Sequence, residues 1–347
     1  MTLLMLSVGL GTTLAFLSTH WLLAWVGLEI STLAILPLMT SLHHPRATEA
    51  ATKYFLIQAT GTALLFFATL LNSWDMNTWE ITQIKEGLPT LMVTLALALK
   101  LGLVPFHLWL PEVMQGITFF MGMILATWQK LAPLALLIQI SSNTHPLLIT
   151  ALGILSTLVA GWAGMNQTQM RKILAYSSIA HLGWAIVIIQ IAPRLTLLTL
   201  GLYIIMTMAA FLTLEKTSLT KISHFPLAWV KNPTMAVNFI LIMLSLAGLP
   251  PLTGFMSKWL ILEELTKQNL YVPATLIALS ALLSLFFYVR LCYTSALTMP
   301  PNLFRTKMVW RTALMNRPLI TMTTVTAATY TLLPLSPLVV ALATCYL

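Results

Sequence analysis

Long apolar segments separated by short polar clusters run along almost the whole chain. Most of them extend over roughly 20 residues and carry at most one ionisable group, and a helix of that length crosses about 30 Å of hydrocarbon. The first segment begins at Thr2, with no basic stretch before it and no small-residue cleavage site after it. It is therefore expected to be a membrane helix rather than a cleaved signal. Polar clusters and prolines delimit eleven candidate spans: 2–19, 21–42, 50–72, 88–109, 117–140, 146–166, 172–192, 195–215, 233–262, 272–295 and 319–345.

The composition identifies the fold class to which this pattern belongs. Of the 347 residues 58% are hydrophobic and 8% are charged, whereas a soluble domain carries about 25% charged residues. Only helices and closed barrels satisfy their backbone polar groups inside lipid. A membrane barrel would alternate polar and apolar residues over segments of about ten, and these runs do not alternate. We predict an all-α polytopic membrane helix bundle with about eleven transmembrane helices.

The distribution of Lys and Arg gives the orientation. Eleven spans put the two termini on opposite sides and sort the loops into two sets. One set carries only Lys85, Arg194 and Lys267. The other is expected to face the matrix or cytoplasm together with the N-terminus, and it carries twelve basic residues: Arg46, Lys53, Arg171, Lys172, Lys216, Lys221, Lys231, Arg290, Arg305, Lys307, Arg311 and Arg317.

The net charge of +9 follows mostly from this topology. It requires no nucleic-acid partner, and the basic segment 305–317 is expected to contact anionic lipid.

Four charged residues remain inside the spans, and they are candidates for function. Each charge at mid-membrane costs roughly 2.5–3.5 kcal/mol. Three lysines cannot all pair with one carboxylate, and a lysine beside a switchable glutamate can take up and release a proton. A proton relay and fixed structural ion pairs are the alternatives; for Lys53, near a span edge, snorkelling is the other explanation. The four residues are Glu29, Lys100, Lys130 and Lys258.

His181 is a fifth titratable group within a span. Its two ring nitrogens suit a proton shuttle, although a hydrogen-bonding core residue is the alternative. Haem ligation is not expected, because the other six histidines lie at span ends or in loops. Cys292 and Cys345 lie in apolar surroundings without metal-ligand spacing and are expected to be buried thiols. We therefore expect no cofactor or metal in this chain.

Glycine and proline interrupt the fourth and ninth spans. Gly102 and Pro105 break the fourth, while Gly248 and the pair Pro250–Pro251 break the ninth. Either could be an ordinary proline kink, but interruptions at matching positions of two halves are typical of transporter ion pathways. They match if spans 1–5 and 6–10 are repeats, which an odd number of spans makes inverted. This gives repeats at 1–140 and 141–295, followed by a basic connection and final helix at 296–347.

Five stretches resemble a known family: 25–29, 46–55, 100–113, 127–133 and 248–259. They are similar to the chain 2 family of vertebrate mitochondrial NADH:ubiquinone oxidoreductase, respiratory complex I, over essentially the whole chain. The resemblance implies that Glu29 and Lys100 form a switchable pair, Lys130 the central relay and Lys258 the terminal lysine. It implies that His181 lies between Lys130 and Lys258. Eleven helices fit the animal form of an antiporter-like fold of fourteen.

The resemblance implies a proton-translocating subunit of the mitochondrial inner membrane. NADH, FMN, iron–sulfur clusters and ubiquinone would be bound by other subunits, and the partners would be other membrane and accessory subunits of the complex and lipid. A stand-alone antiporter exchanging Na⁺ or K⁺ for protons is the runner-up, but its cation site would need more intramembrane carboxylates than Glu29. A scaffold whose charges are fixed pairs is the third hypothesis.

Overall fold

A computed structural model describes residues 1–41, 43–226, 229, 233–297 and 319–331 of the chain. Fourteen α-helices and three short 3-10 turns make up these ranges, and no β-strand occurs among them. The all-α prediction is confirmed. The helices are α1 Thr2–Leu17, α2 Trp21–Met39, α3 Pro45–Met76, α4 Leu88–Leu101, α5 Trp109–Gly116, α6 Phe119–Thr127, α7 Leu131–Ile140, α8 Pro146–Met165, α9 Met170–Val187, α10 Pro193–Thr217, α11 Pro233–Ala247, α12 Thr253–Lys267, α13 Tyr271–Leu297 and α14 Leu319–Thr331.

Six of the described helical segments are long and apolar enough to cross a membrane. They coincide with predicted spans, and one of them runs through α6 and α7 to Asn143. The apolar helices α1, α4 and α11 are shorter, and α4 and α11 are short because each stops at a glycine–proline interruption. Of the final predicted span, 319–345, only the part up to Thr331 lies within the described residues.

The two predicted interruptions are present and have the same construction. Gly102, with φ 74°, ends α4, and Gly248, with φ 81°, ends α11. Past the first glycine, the Leu103 amide donates to the Ala98 carbonyl at 2.9 Å. Past the second, the Leu249 amide donates to the Leu244 carbonyl at 3.4 Å. This is the Schellman arrangement, which requires a left-handed residue that glycine adopts without strain.

A third interruption lies at Lys130, inside the span 117–140, which the sequence predicts to be continuous. A 3-10 turn over Trp128–Lys130 separates α6 from α7. Pro133 explains it, because a proline has no amide hydrogen for the carbonyl four residues earlier, here Gln129, and its ring crowds that carbonyl. All three intramembrane lysines therefore lie at or near a helix interruption.

Paired glycines bring two couples of helices together. A Cβ on Gly11 of α1 would lie 2.7 Å from the Gly27 carbonyl oxygen of α2, and the reverse distance is also 2.7 Å. A Cβ on Gly153 of α8 would lie 3.0 Å from the Gly183 carbonyl of α9, and the reverse distance is 2.8 Å. Small residues allow such close backbone contact between membrane helices. The couples are the first and second helices of the two predicted repeats.

Contacts between loops divide the bundle into two ends. At one end the backbones of His20 and Glu80 form an isolated antiparallel β-bridge. The Asn143 side chain donates to the Thr82 carbonyl at 3.0 Å. At this same end Gln190 donates to the Thr144 carbonyl at 2.7 Å.

At the other end the backbones of Gln169 and Lys221 form an isolated antiparallel β-bridge. The Arg290 guanidinium donates to the Met165 carbonyl at 2.7 Å. The contacts group these loops into the same two sets that the Lys and Arg distribution predicts.

Candidate functional site

The predicted site residues lie on five different helical segments and are withdrawn from the surface. Lys100 at the end of α4 is 5% exposed, and Lys130 in the 3-10 turn is 2% exposed. Glu29 of α2, His181 of α9 and Lys258 of α12 are partly buried. A buried charge is expensive unless it is paired or hydrogen-bonded, so the partners of each group indicate its role.

None of these five side chains belongs to an ion pair within the described ranges. The salt bridges there join Lys53 to Glu49 and Glu112, Lys85 to Asp75, and Lys267 to Glu263 and Glu264.

Lys53 is 41% exposed and lies 2.8 Å from the Glu49 carboxylate and 2.9 Å from that of Glu112. It is thus paired at the surface and takes no part in the buried set. Lys267 is exposed as well, and the hydrogen bonds that it donates to the Glu263 and Glu264 carboxylates raise its pKa.

Glu29 and Lys100 interact through their charges without touching. The Glu29 carboxylate acts electrostatically on the Lys100 ammonium and on the Tyr54 hydroxyl. Both Glu29 Oε2 and Lys100 Nζ are buried and have no hydrogen-bond partner among the described residues. Buried unpartnered polar atoms are rare and call for an explanation.

A small cavity connects Lys100 with Lys130. Its volume is about 10 Å³, near the lower limit for holding one water molecule. The Gln129 Nε2 donor is buried without a partner, and the Tyr54 hydroxyl lies 3.5 Å from Gln129 Oε1. The cavity is lined by both lysines, by the polar residues Ser31, Thr32, Tyr54, Gln58 and Gln129, and by the apolar residues Leu28, Leu101, Trp109, Leu125 and Pro133.

Tyr203 of α10 lies between Lys130 and His181. The Lys130 ammonium donates to the Tyr203 hydroxyl oxygen at 3.4 Å, and that hydroxyl donates to the Ala126 carbonyl at 2.8 Å. The rings of His181 and Tyr203 lie 5.6 Å apart between centroids. His181 also interacts with the charges of Lys258 and Lys130. Tyr203 thus contacts both Lys130 and His181, two of the groups predicted to lie along the axis.

Lys258 lies beside the second interruption and is hydrogen-bonded to its backbone. Its ammonium donates to the Ala247 carbonyl at 2.7 Å and lies 5.9 Å from the centre of the Trp184 ring. The backbone of Leu246, one residue earlier, contacts the His181 ring. A groove of about 320 Å³ opens beside Lys258. The same lysine thus donates a hydrogen bond to the backbone at the interruption and lines a cavity.

Each of the three interruptions has a carbonyl that accepts a side-chain donor. The Trp109 indole donates to the Leu99 carbonyl at 3.2 Å. The Tyr203 hydroxyl donates to the Ala126 carbonyl, and the Lys258 ammonium donates to the Ala247 carbonyl. Carbonyls in the last turn of a helix have few helical donors, and lipid offers none. The Leu99 carbonyl accepts from the Gly102 amide at 3.2 Å as well. Trp109 and Tyr203 are not among the site residues that the sequence predicts. An isolated tyrosine within the apolar run of α10 was a signal for the latter.

The described residues contain no group of three or more His, Cys, Asp or Glu side chains that could hold a metal ion. Cys292 is a partly buried free thiol, while Cys345 lies outside the described ranges.

Comparisons with known proteins agree on one family. The family profile "NADH:quinone oxidoreductase/Mrp antiporter, TM" matches residues 18–284, and "NADH dehydrogenase subunit 2 C-terminus" matches residues 285–340. NADH-ubiquinone oxidoreductase chain 2 of Carassius auratus is 57% identical over 99% of this chain and 98% of its own. The chain 2 protein of Squalus acanthias is 53% identical over 97% of each chain.

Solved structures give the same fold. A chain of respiratory complex I from Thermus thermophilus with bound aureothin has a TM-score of 0.85 and 28% identity, covering 99% of this chain and 79% of that one. A chain of the Mrp complex from Dietzia sp. DQ12-45-1b has a TM-score of 0.79 and 19% identity, covering 86% of this chain and 61% of that one.

Proposed function

This chain belongs to the NADH-ubiquinone oxidoreductase chain 2 family, and we propose that it conducts protons through a relay of Glu29, Lys100, Lys130, His181 and Lys258. It is a membrane subunit of respiratory complex I, with other subunits of that complex as its partners. Its vertebrate relatives and apolar helices fit the mitochondrial inner membrane. The relay would be driven by electron transfer from NADH to ubiquinone elsewhere in the complex.

The observation that supports the relay most strongly is the set of buried ionisable groups without ion pairs. Fixed structural pairs would bring a lysine nitrogen within 4.0 Å of a carboxylate oxygen, and within the described ranges none of the three buried lysines has such a neighbour. Instead Lys100 lines a small cavity that several polar side chains share, and Lys130 contacts a phenol. This disfavours the scaffold hypothesis, whose charges would be fixed pairs.

A stand-alone cation/proton antiporter is less well supported. Among the carboxylates of the described ranges Glu29 alone belongs to the buried set, and one carboxylate is a poor site for Na⁺ or K⁺. The full-length relatives are subunits of an oxidoreductase rather than independent exchangers.

The proposal includes two inverted repeats of five spans, 1–140 and 141–295, with 296–347 outside them. Two features support this division. The first and second helices of each half are joined by a glycine pair, and the fourth span of each half breaks at a glycine with positive φ. The N-terminus would face the matrix and the C-terminus the intermembrane space.

Cofactors and lipid complete the proposal. NADH, FMN, iron–sulfur clusters and ubiquinone would be held by other subunits of the complex. Anionic lipid would contact 305–317, which lies outside the described residues. Nucleic acid is not a proposed partner.

The test replaces Lys130 by alanine in the intact complex. We expect fewer protons translocated per NADH oxidised, because a buried alanine cannot exchange a proton, while NADH oxidation by an artificial acceptor stays normal. Lys267→Ala is the matched control, since this lysine is exposed and lies outside the relay. A Lys130→Ala complex that pumps at the normal ratio would refute the relay.

A further inference from the structure

A buried phenol occupies the step between Lys130 and His181. Tyr203 is 3% exposed, and its hydroxyl makes hydrogen bonds with the Ala126 carbonyl at 2.8 Å and the Lys130 ammonium at 3.4 Å. The side chains of Ser178 and Thr207 are also hydrogen-bonding neighbours of this phenol. Its ring lies 5.6 Å from that of His181. Within the described ranges, the Tyr203 hydroxyl is the hydrogen-bond partner of Lys130 Nζ.

The directions of these two hydrogen bonds are fixed by chemistry. A phenol has one proton to donate, and here it goes to Ala126, so the oxygen accepts from Lys130. An amide carbonyl is too weak a base to carry the proton further. In this arrangement the hydroxyl therefore holds the lysine but passes nothing to the imidazole.

The hydroxyl also ties the lysine to the helix interruption. Ala126 is in the last turn of α6, directly before the 3-10 turn that carries Lys130. One oxygen thus bonds to the backbone before the turn and to the side chain at its end. A purely packing role would need only the ring.

We propose, on the basis of the relay proposed above, that Tyr203 is itself a member of the relay: its hydroxyl holds Lys130 at the interruption and carries the proton from Lys130 to His181. Transfer requires the hydroxyl proton to turn from the Ala126 carbonyl toward the imidazole. As that proton passes to a neutral imidazole nitrogen, a proton of the Lys130 ammonium passes to the phenol oxygen. This leaves a neutral lysine, an intact phenol and a charged imidazole, so the proton count balances.

The test is Tyr203→Phe in the intact complex, which removes the hydroxyl and keeps the ring. The ratio of protons translocated to NADH oxidised is measured per assembled complex, and we expect it to fall while NADH oxidation by an artificial acceptor is unchanged. Tyr330→Phe is the matched control. It also removes a phenol that donates to a backbone carbonyl, that of Asn238 at 3.1 Å, but this bond involves no ionisable partner.

A double-mutant cycle with Lys130→Ala separates the possible outcomes. If Tyr203 acts through Lys130, the double variant pumps at the same ratio as Lys130→Ala alone. A lower ratio in the double variant, or a normal ratio in Tyr203→Phe while Lys130→Ala is impaired, would overturn the role of Tyr203 and leave the relay standing. A normal ratio in Lys130→Ala would remove the relay itself.

A second variant, Tyr203→His, covers the case in which the phenylalanine variant assembles poorly. It keeps a ring that can both donate and accept a hydrogen bond, and we expect a ratio between those of the wild type and Lys130→Ala. A ratio no higher than that of Lys130→Ala would overturn the proposal.

Discussion

Charge burial identifies Glu29, Lys100 and Lys130 because an ionisable group in an apolar run must be offset by something. The same reasoning overlooks Tyr203 and Trp109, because a neutral polar group in a helix carries a much smaller penalty. Both side chains matter only once folding brings a distant carbonyl to them, those of Ala126 and Leu99. Ionisable members of the candidate site could thus be predicted from sequence, and neutral members could not.

At this scale the first prediction concerns Glu29. Glu29→Gln keeps the size of the side chain but removes its charge and its ability to exchange a proton. We expect fewer protons pumped per NADH with normal NADH oxidation by an artificial acceptor, because Glu29 is the carboxylate that acts on Lys100. Lys100→Ala should have the same phenotype.

Glu263→Gln is the matched control, since it makes the same substitution in an exposed ion pair with Lys267. Equal pumping ratios in the Glu29 and Glu263 variants would mean that the Glu29–Lys100 pair is structural.

Helix interruptions are predictable where two signals coincide. Gly102 with Pro105, and Gly248 with Pro250, each combine a left-handed helix end with a missing amide. The interruption at Lys130 rests on Pro133 alone, with no glycine to mark its position. A lone proline is also compatible with a continuous kinked helix, so only the structure distinguishes the two. Glycine pairs between helices escaped prediction because their partners are distant in sequence.

The second prediction compares two glycines of α1. Gly11→Ala puts a methyl group 2.7 Å from the Gly27 carbonyl, whereas a Cβ on Gly9 meets nothing within 4 Å. We expect Gly11→Ala to destabilise the packing of α1 on α2 by about 1–3 kcal/mol through overpacking. Gly9→Ala should be neutral or should stabilise the helix by up to about 1 kcal/mol. The measurement is the midpoint of thermal dissociation of the purified complex, and equal midpoints would contradict the close approach.

Across the whole molecule, the buried groups form a sequence that runs from helix to helix rather than along any one helix. Lys100 and Lys130 line the same small cavity, and Tyr203 contacts both Lys130 and His181. His181 in turn interacts with Lys258 at the second interruption. Such an order across the bundle is expected of a lateral relay. The six long apolar spans of the described ranges could be predicted because they follow from local hydropathy. The contacts along this line could not, because they depend on tertiary packing.

The third prediction concerns orientation, and it follows from the loop sets. Residues 73–87 should face the intermembrane space, because this loop contacts the loops that carry few basic residues. Residues 216 and 296–318, together with the N-terminus, should face the matrix. Single cysteines at the exposed positions Glu86 and Lys216 would report this through a membrane-impermeant thiol reagent, with the unmodified chain as the control for its own thiols. In mitoplasts, whose outer face is that of the intermembrane space, Glu86→Cys should be labelled and Lys216→Cys should require permeabilisation. Labelling in the reverse order would show that the topology is inverted.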